Sequence, residues 1–234
     1  MTTPVRRRMG VEERRSQLVG VALELFRRRS PEEVSVDEIA RAAGVSRPLV
    51  YHYFPAKSDL REAALWRAVE ESTARLSRTP GDAPAEGLLD VTGCFFDFVE
   101  EHGAGYAAFL RSDDAGARPG EGGTVVDALR RAVYEGVLAR LGVADPPARL
   151  ELAVRSWISL TESTALIWSD GRHGPRAEVE TQLVHGLVAL IAVSAEHDTE
   201  TDDLLRRSLG DRPRGGPLAG LVGRWAVDGT DRGR

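Results

Sequence analysis

The chain has 234 residues, which exceeds the usual domain length of roughly 100–200 residues, so two domains are expected. Its one cysteine excludes an intramolecular disulfide, and neither an apolar signal core nor a run long enough to span a bilayer is evident, so a cytoplasmic protein without a membrane partner is expected. The net charge of −5 is unevenly distributed, because residues 1–60 hold 11 Lys and Arg against 8 Asp and Glu. A basic N-terminal region suits contact with nucleic acid, although arginine clusters are also common on solvated surfaces.

Helical periodicity runs through nearly the whole chain, without strand-like alternation or internal repeats, and predicts an all-α fold. The first helix is expected over residues 12–29 and should end at Ser30-Pro31. Its apolar residues recur at helical spacing and predict one buried face, made of Leu18, Val21, Ala22, Leu25 and Phe26.

Two short helices joined by a tight turn should follow. Ser35 and Glu38 stand at the spacing of a capping box at the start of the second helix. Gly44 suits the left-handed conformation that ends a helix, and Ser46 suits the N-cap of the third helix. This arrangement predicts a helix-turn-helix.

The third helix should present two different faces. Val50 and Phe54 fall on the side that faces the preceding helices, as a helical wheel places them. The opposite side and its flanks carry an outward set made of Pro48, Leu49, Tyr51, His52 and Tyr53. Such a face is unusual for plain solvent contact and is typical of a helix whose side chains meet base edges and phosphates in a major groove.

The segment 35–60 resembles the TetR (tetracycline-repressor) family of bacterial regulators. The resemblance is carried by Ala43-Gly44-Val45-Ser46, by Tyr51-His52-Tyr53-Phe54 and by Lys57, and it covers roughly residues 11–70. It implies a three-helix DNA-binding domain followed by a helical ligand-binding and dimerisation domain. It also implies a homodimer on a pseudo-palindromic double-stranded DNA operator, usually a repressor that a small-molecule effector releases. A ligand-independent regulator, or an activator of the same fold, is the alternative.

The resemblance also assigns the residues expected at DNA: Ser46, Arg47, Pro48, Leu49, Tyr51, His52, Tyr53 and Lys57. Lys57 and Tyr53 are expected at phosphates, and Lys57 begins a helix whose N-terminus adds backbone donors. Many family members carry Thr where this chain has Leu49 and Gly where it has Pro48. Leu49 offers an apolar side chain that suits a thymine methyl group instead.

The domain boundaries follow from these elements. Residues 1–56 form the predicted DNA-binding domain, with a basic arm over 1–10 that either contacts DNA or is disordered. Residues 57–197 form the predicted ligand-binding and dimerisation domain, and 198–234 are expected to be a flexible tail. The long helix at 57–78 is the expected transmitter between the two domains. Later helices are expected at 86–102, 104–111, 124–141, 147–169 and 176–195.

The candidate ligand site lies in the second domain. Trp157, Thr161, Thr164 and Trp168 share one face of a helix and suit a pocket, the core or a dimer seam. Glu162 would select a cationic ligand if it is buried, while a solvated or interface position is the alternative. Three further aromatic residues suit the core or the pocket: Phe98, Tyr106 and Phe109. The dimer is expected on the last two long helices, through Val179, Leu183, Leu187, Leu190 and Ile191.

Enzymatic chemistry finds little support in the sequence. The glycines at 116–123 precede a helix, but no strand leads into them and no Gly-Lys-Ser/Thr follows, so a phosphate-binding loop is not expected. The five histidines lack metal-ligand spacing, and no Ser/His/Asp arrangement stands out. The prediction is a protein that is not an enzyme, with no cofactor, no metal and no catalytic residue.

Overall fold

A computed structural model describes residues 9–76, 84–111, 124–171 and 174–209. The regular elements in these ranges are α-helices, as predicted. They are α1 (Val11–Arg28), α2 (Val36–Ala43), α3 (Arg47–Tyr53), α4 (Lys57–Leu76), α5 (Pro84–Arg111), α6 (Val125–Leu141), α7 (Ala148–Ser169), α8 (Arg176–Ala195) and α9 (Thr199–Leu209). We call α1–α3 the reading head and α5–α9 the body. The basic arm 1–8 and the segment 210–234 lie outside the described residues.

The buried face of α1 includes Leu18, Ala22 and Phe26 as predicted, but it is wider than predicted. Val19 and Leu23 are buried, whereas Val21 and Leu25, which were expected in the core, are only half-buried. The reason is that α1 packs against α4 and α5 as well as against α2. A helix with neighbours on several sides buries a wider stripe than an amphipathic wheel indicates.

Both ends of α2 have the predicted caps. The Ser35 hydroxyl accepts from the Glu38 backbone N–H at 3.2 Å, and the Ser35 N–H donates to the Glu38 carboxylate at 2.8 Å. Hydrogen bonds to the Glu38 carboxylate from the Ser35 N–H, the Arg29 guanidinium and the Ser35 hydroxyl lower the pKa of Glu38 to about 2. Gly44 follows α2 with φ of +66°, in the left-handed region that glycine tolerates best.

α5 is one continuous helix rather than the two predicted around residue 103. Gly103 and Gly105 lie inside it instead of breaking it. A Cβ at Gly103 would approach a Val99 methyl at 3.3 Å, and one at Gly105 would lie 3.6 Å from Pro31. A Cβ would thus be tight only at Gly103, against a side chain of the same helix, and at Gly105 it would make an ordinary van der Waals contact. α5 is helical here although local propensity marks these positions as a break.

The body buries a large apolar core that extends to α9. The indole N–H of Trp157 on α7 donates to the backbone oxygen of Leu183 on α8 at 2.7 Å. Residues 199–209 form a helix, although 198–234 was expected to be a flexible tail. Thr201 and Leu204 of α9 are buried, so this part of the tail is packed against the body.

Candidate nucleic-acid interface and body core

α3 turns one face inward and the other outward, as predicted. Val50 and Phe54 are buried in the core of the reading head. Pro48 and His52 are exposed, and Leu49 is half-buried. The inward pair fixes the rotation of α3, so the polar and aromatic face is directed to solvent.

Arg47 is held at this exposed face by two partners. Its guanidinium donates to the Asp37 carboxylate at 3.0 Å and to the Tyr51 hydroxyl at 3.4 Å. It also lies 5.5 Å from the centre of the Tyr51 ring. The hydrogen bond to Tyr51 and the charge of Asp37 raise the pKa of Arg47 above its ordinary value. The arrangement presents a fixed cation beside an exposed phenol, which suits a phosphate.

Three further residues expected at DNA lie on or beside this face. Tyr53 is half-buried, and its ring meets that of His52 edge-on, with 5.2 Å between the ring centres. Ser46 is the N-cap residue of α3, but its side chain makes no capping hydrogen bond, contrary to the prediction. Ser46 is exposed, so its hydroxyl can face a ligand.

Lys57 and the start of α4, where a phosphate contact is predicted, already make hydrogen bonds within the protein. The Lys57 ammonium donates to the backbone oxygen of Glu32 at 3.3 Å, which ties the start of α4 to the connection between α1 and α2. The Asp59 carboxylate accepts from the Ala56 N–H at 2.9 Å and so already occupies this helix N-terminus. The Lys57 ammonium has three N–H donors, so it can contact a phosphate while it keeps the bond to Glu32, and this role stays a prediction.

A buried polar cluster joins three helices of the body. The Tyr106 hydroxyl of α5 donates to the Glu162 carboxylate of α7. Arg130 of α6 donates to the other carboxylate oxygen from Nε at 3.1 Å and from Nη2 at 2.6 Å. Glu162 is only 6% exposed, so of the two alternatives it is buried rather than solvated. Burial and the neighbouring carboxylate raise the pKa of Tyr106.

Arg130 was not predicted as a site residue. It is half-buried and follows Leu129 within the apolar stripe of α6, where a charged side chain needs a partner. That neighbourhood is the signal that points to it. Its charge compensates Glu162, which removes the reason to expect a cationic ligand.

Thr161 and Phe98 lie beside this cluster. Thr161 precedes Glu162 on α7, is 2% exposed, and its hydroxyl has no hydrogen-bond partner within the described residues. The ring of Phe98 meets that of Tyr106 edge-on, with 5.4 Å between centres. The structure therefore brings four of the predicted ligand residues into one region.

The other predicted ligand residues are distributed differently. Trp157 is fully buried and committed to its hydrogen bond with Leu183, which makes it a core residue. Trp168 packs on Phe96 with 5.4 Å between ring centres, and its indole N–H donates to the Gly174 oxygen. Thr164 is half-buried. The side chain of Phe109 lies outside the described part of the chain.

A capped α2, a left-handed Gly44 turn and an outward polar face on α3 define a helix-turn-helix DNA-binding protein. Residues 18–64 match the family described as bacterial regulatory proteins, tetR family. Residues 84–190 match the tetracyclin repressor-like C-terminal domain. The chain belongs to the TetR family of DNA-binding transcriptional regulators, which confirms the resemblance.

A tetR-family transcriptional regulator of known crystal structure from Streptomyces coelicolor is 57% identical, with a TM-score of 0.76 over 92% of this chain and 97% of that one. The transcriptional activator FasR of Mycolicibacterium smegmatis is 36% identical over 109 residues, 45% of this chain and 49% of FasR. The regulator AcrR of Shigella flexneri is 37% identical over 76 residues, 30% of this chain and 35% of AcrR. The chain thus matches about half or less of these two curated relatives.

Proposed function

We propose that this protein binds a pseudo-palindromic operator as a homodimer, with α3 of each copy in a major groove, and that a small molecule in the body releases it. The observation that carries the proposal is the orientation of α3, whose inward pair Val50 and Phe54 leaves Pro48, His52 and Tyr51 exposed. The proposed action is binding alone, in the cytoplasm, with no catalytic step, cofactor or metal.

Selection of bound duplexes from a random library tests the DNA-binding part. We expect enrichment of sequences with two inverted half-sites whose centres lie about one helical turn, or a multiple of it, apart. A His52→Ala variant should alter base preference at one position in each half-site, by roughly 1–3 kcal/mol. If no sequence is enriched, or if His52→Ala selects the same sequence with the same affinity, α3 is not the reading element.

The proposed dimer face differs in detail from the predicted one. Leu183, Leu187 and Ile191 are buried within one copy of the chain and are not available to a partner. Of the other predicted residues, Val179 is half-buried and Leu190 is exposed. Further exposed apolar residues of the last two long helices are Leu152 (65% exposed), Leu160 (49%), Ile167 (51%) and Val193. Apolar side chains that recur on exposed faces of adjacent helices favour burial against a second copy.

The composition of α8 supports the same proposal. By length and mean hydropathy alone, α8 is long and apolar enough to cross a membrane. The sequence did not predict this, because its longest apolar run, 187–195, is too short to span a bilayer. It packs against α5, α7 and α9, and interface helices of water-exposed proteins share this composition. Arg176 at its start binds Asp97 at 2.7 Å and Glu180 at 2.6 Å. Cover by a second copy accounts for its remaining exposed apolar surface.

The proposed effector is uncharged and carries a hydrogen-bonding group. The Arg130 guanidinium already compensates Glu162, so the cluster does not require an ion. The buried Thr161 hydroxyl lacks a hydrogen-bond partner among the described residues, and a ligand hydroxyl or carbonyl near it would satisfy it. The surrounding rings of Phe98 and Tyr106 favour an aromatic or apolar molecule.

Activation is the second candidate outcome, and the similarity to the activator FasR favours it. Transcription in vitro from a promoter that contains the selected operator distinguishes the two outcomes. Repression predicts that added protein lowers transcript yield and that an effector restores it. Activation predicts that the protein raises the yield from the same template.

A further inference from the structure

We propose that α5 carries a relay from the Glu162 cluster to the reading head, so that a change in the contact between Tyr106 and Glu162 alters operator affinity through Arg27. This inference rests on the proposed function, because it requires a reading head that binds DNA and a ligand near Glu162. It adds a second route beside α4, the transmitter expected from the sequence.

The first part of the relay is a row of buried rings on α5. Phe98, His102 and Tyr106 stand four residues apart, so that they lie close together along one side of the helix. The Phe98 ring centre lies 5.4 Å from that of Tyr106 and 5.3 Å from that of His102. All three side chains are buried. Because a close-packed core leaves little free space, a displacement of Tyr106 is passed to His102.

The second part is an ionic contact between α5 and α1. Oε2 of Glu101 lies 3.6 Å from Nε2 of His102 and 3.1 Å from Nη2 of Arg27, in the last turn of α1. This Glu101 oxygen is buried and accepts no hydrogen bond within the described residues. Arg27 is also 3.5 Å from Glu71 of α4. The Arg27 and Glu101 side chains are 35% and 37% exposed, and their ion pair joins the end of α1 to α5, so the position of α1 depends on that of Glu101.

A second contact lies on the same side of α5. Gly105 is four residues beyond Glu101, and a Cβ there would lie 3.6 Å from Pro31 in the connection between α1 and α2. α5 thus meets the reading head at the end of α1 and again just beyond it. A tilt of α5 moves both contacts together and changes the placement of α2 and α3, which pack on α1 and on each other.

The two arrangements of this relay differ in one hydrogen bond. In the structure the Tyr106 hydroxyl donates to Glu162. A ligand that offers its own hydroxyl to Glu162 competes with Tyr106 and frees its ring to shift. Tyr106→Phe imitates that state without any ligand, because it removes the hydroxyl and retains the ring.

A double-mutant cycle on the full-length chain tests the relay, with a duplex recovered by selection as the probe. Tyr106→Phe and Glu101→Gln should each change the dissociation constant for this duplex by about 2- to 30-fold. The double variant should change it by less than the product of the two, because both changes act on one route. One matched control is Tyr134→Phe, at a half-buried tyrosine of α6. The other is Glu100→Gln, at a carboxylate that contacts Arg176 rather than the reading head.

Hydrogen exchange provides a readout that needs no DNA. Tyr106→Phe should speed exchange of the backbone amides at residues 25–29 relative to the wild-type chain, while Tyr134→Phe should not. Unchanged exchange at residues 25–29 in Tyr106→Phe overturns the relay. The relay is also overturned if the double variant changes the affinity by the full product of the Tyr106→Phe and Glu101→Gln effects. A wild-type chain that selects no duplex overturns the proposed function instead, while the exchange measurement still tests the relay.

Discussion

At the scale of single residues, the cations expected at DNA are already engaged within the protein. Arg47 binds Asp37 and Tyr51, and Lys57 binds the Glu32 carbonyl. Both contacts are solvent-accessible, and at such a position an ion pair such as Arg47–Asp37 contributes roughly 0–1 kcal/mol. A phosphate can therefore replace the internal partner at small cost, and the internal contacts keep the side chains near the position they occupy at DNA.

Arg47→Gln should weaken operator binding and reduce its salt dependence. Loss of one phosphate contact lowers the slope of log affinity against log salt by about 1. Fluorescence anisotropy of a labelled operator at several salt concentrations measures both quantities. Arg155→Gln is the matched control, because Arg155 is also exposed and paired, with Glu151 at 2.8 Å, but lies on α7. Equal slopes for Arg47→Gln and Arg155→Gln would remove Arg47 from the interface.

We expect the free energy of unfolding to fall in mild acid because of His102. Burial, followed by the positive charge of Arg27, lowers the pKa of His102 from 6.5 to about 4. The unfolded chain therefore binds a proton between pH 6.5 and 4 that the folded chain does not, and stability falls as the pH decreases through this window. The loss attributable to His102 is about 2 kcal/mol at pH 5.

Urea unfolding at pH 8 and pH 5 measures this contribution. His102→Asn should lose less free energy of unfolding between the two pH values than the wild-type chain does, whatever its stability at pH 8. His185→Asn, a change at an exposed histidine of α8, should keep the wild-type difference. Identical pH dependence of His102→Asn and wild type would contradict the lowered pKa.

At the scale of the helices, the sequence predicted features of α2 and α3 that depend on residues close by in the chain. The capping box at Ser35 and the left-handed Gly44 are set by residues within four positions, and the structure confirms both. The helical-wheel prediction that Val50 and Phe54 face inward is also confirmed, because a short helix that packs on one core has a single buried side. The orientation of α3 within the reading head could therefore be predicted from the sequence.

Elements that depend on distant partners were predicted less well. α5 continues through Gly103 and Gly105, and Pro31, which lies near Gly105, is 74 residues away along the chain, so no local pattern reports this neighbour. α9 is polar at its start and is held by the burial of Thr201 and Leu204 against the body. In the cluster around Glu162, Arg130 lies 32 residues away along the chain, so sequence spacing does not pair them.

The exposed faces of α7 and α8 give a prediction about assembly. Leu160→Glu should weaken the dimer by about 30-fold or more, since a charge in the centre of an apolar interface costs at least about 2 kcal/mol. Leu160 is exposed in the single chain, so circular dichroism should remain that of the wild type. Leu89→Glu, at an exposed leucine of α5, is the matched control. Sedimentation of Leu160→Glu as a dimer at low micromolar concentration would place the interface elsewhere.

At the scale of the whole molecule, the proposed effector binding is linked to DNA binding in both directions. If an effector lowers operator affinity by some factor, the operator lowers effector affinity by the same factor. The linkage requires that the effector bind one conformation better than the other. In this protein the difference is expected around Glu162, where three helices of the body meet through Tyr106 and Arg130.

Thr161→Val tests this linkage through two effects of opposite sign. In the part of the chain that the structure describes, the buried hydroxyl has no hydrogen-bond partner, so its replacement by an isosteric apolar group should raise the melting temperature of the free protein. The same change should weaken any effector that bonds to this hydroxyl, by about 3- to 10-fold if one neutral hydrogen bond is lost. The probe is an uncharged aromatic compound found by its thermal shift on the wild-type chain. Its concentration for half-release of operator should rise by the same factor as its dissociation constant. Thr181→Val, at an exposed threonine of α8, should change neither quantity. A Thr161→Val chain that binds the compound and releases DNA as wild type does would show that the effector lies elsewhere.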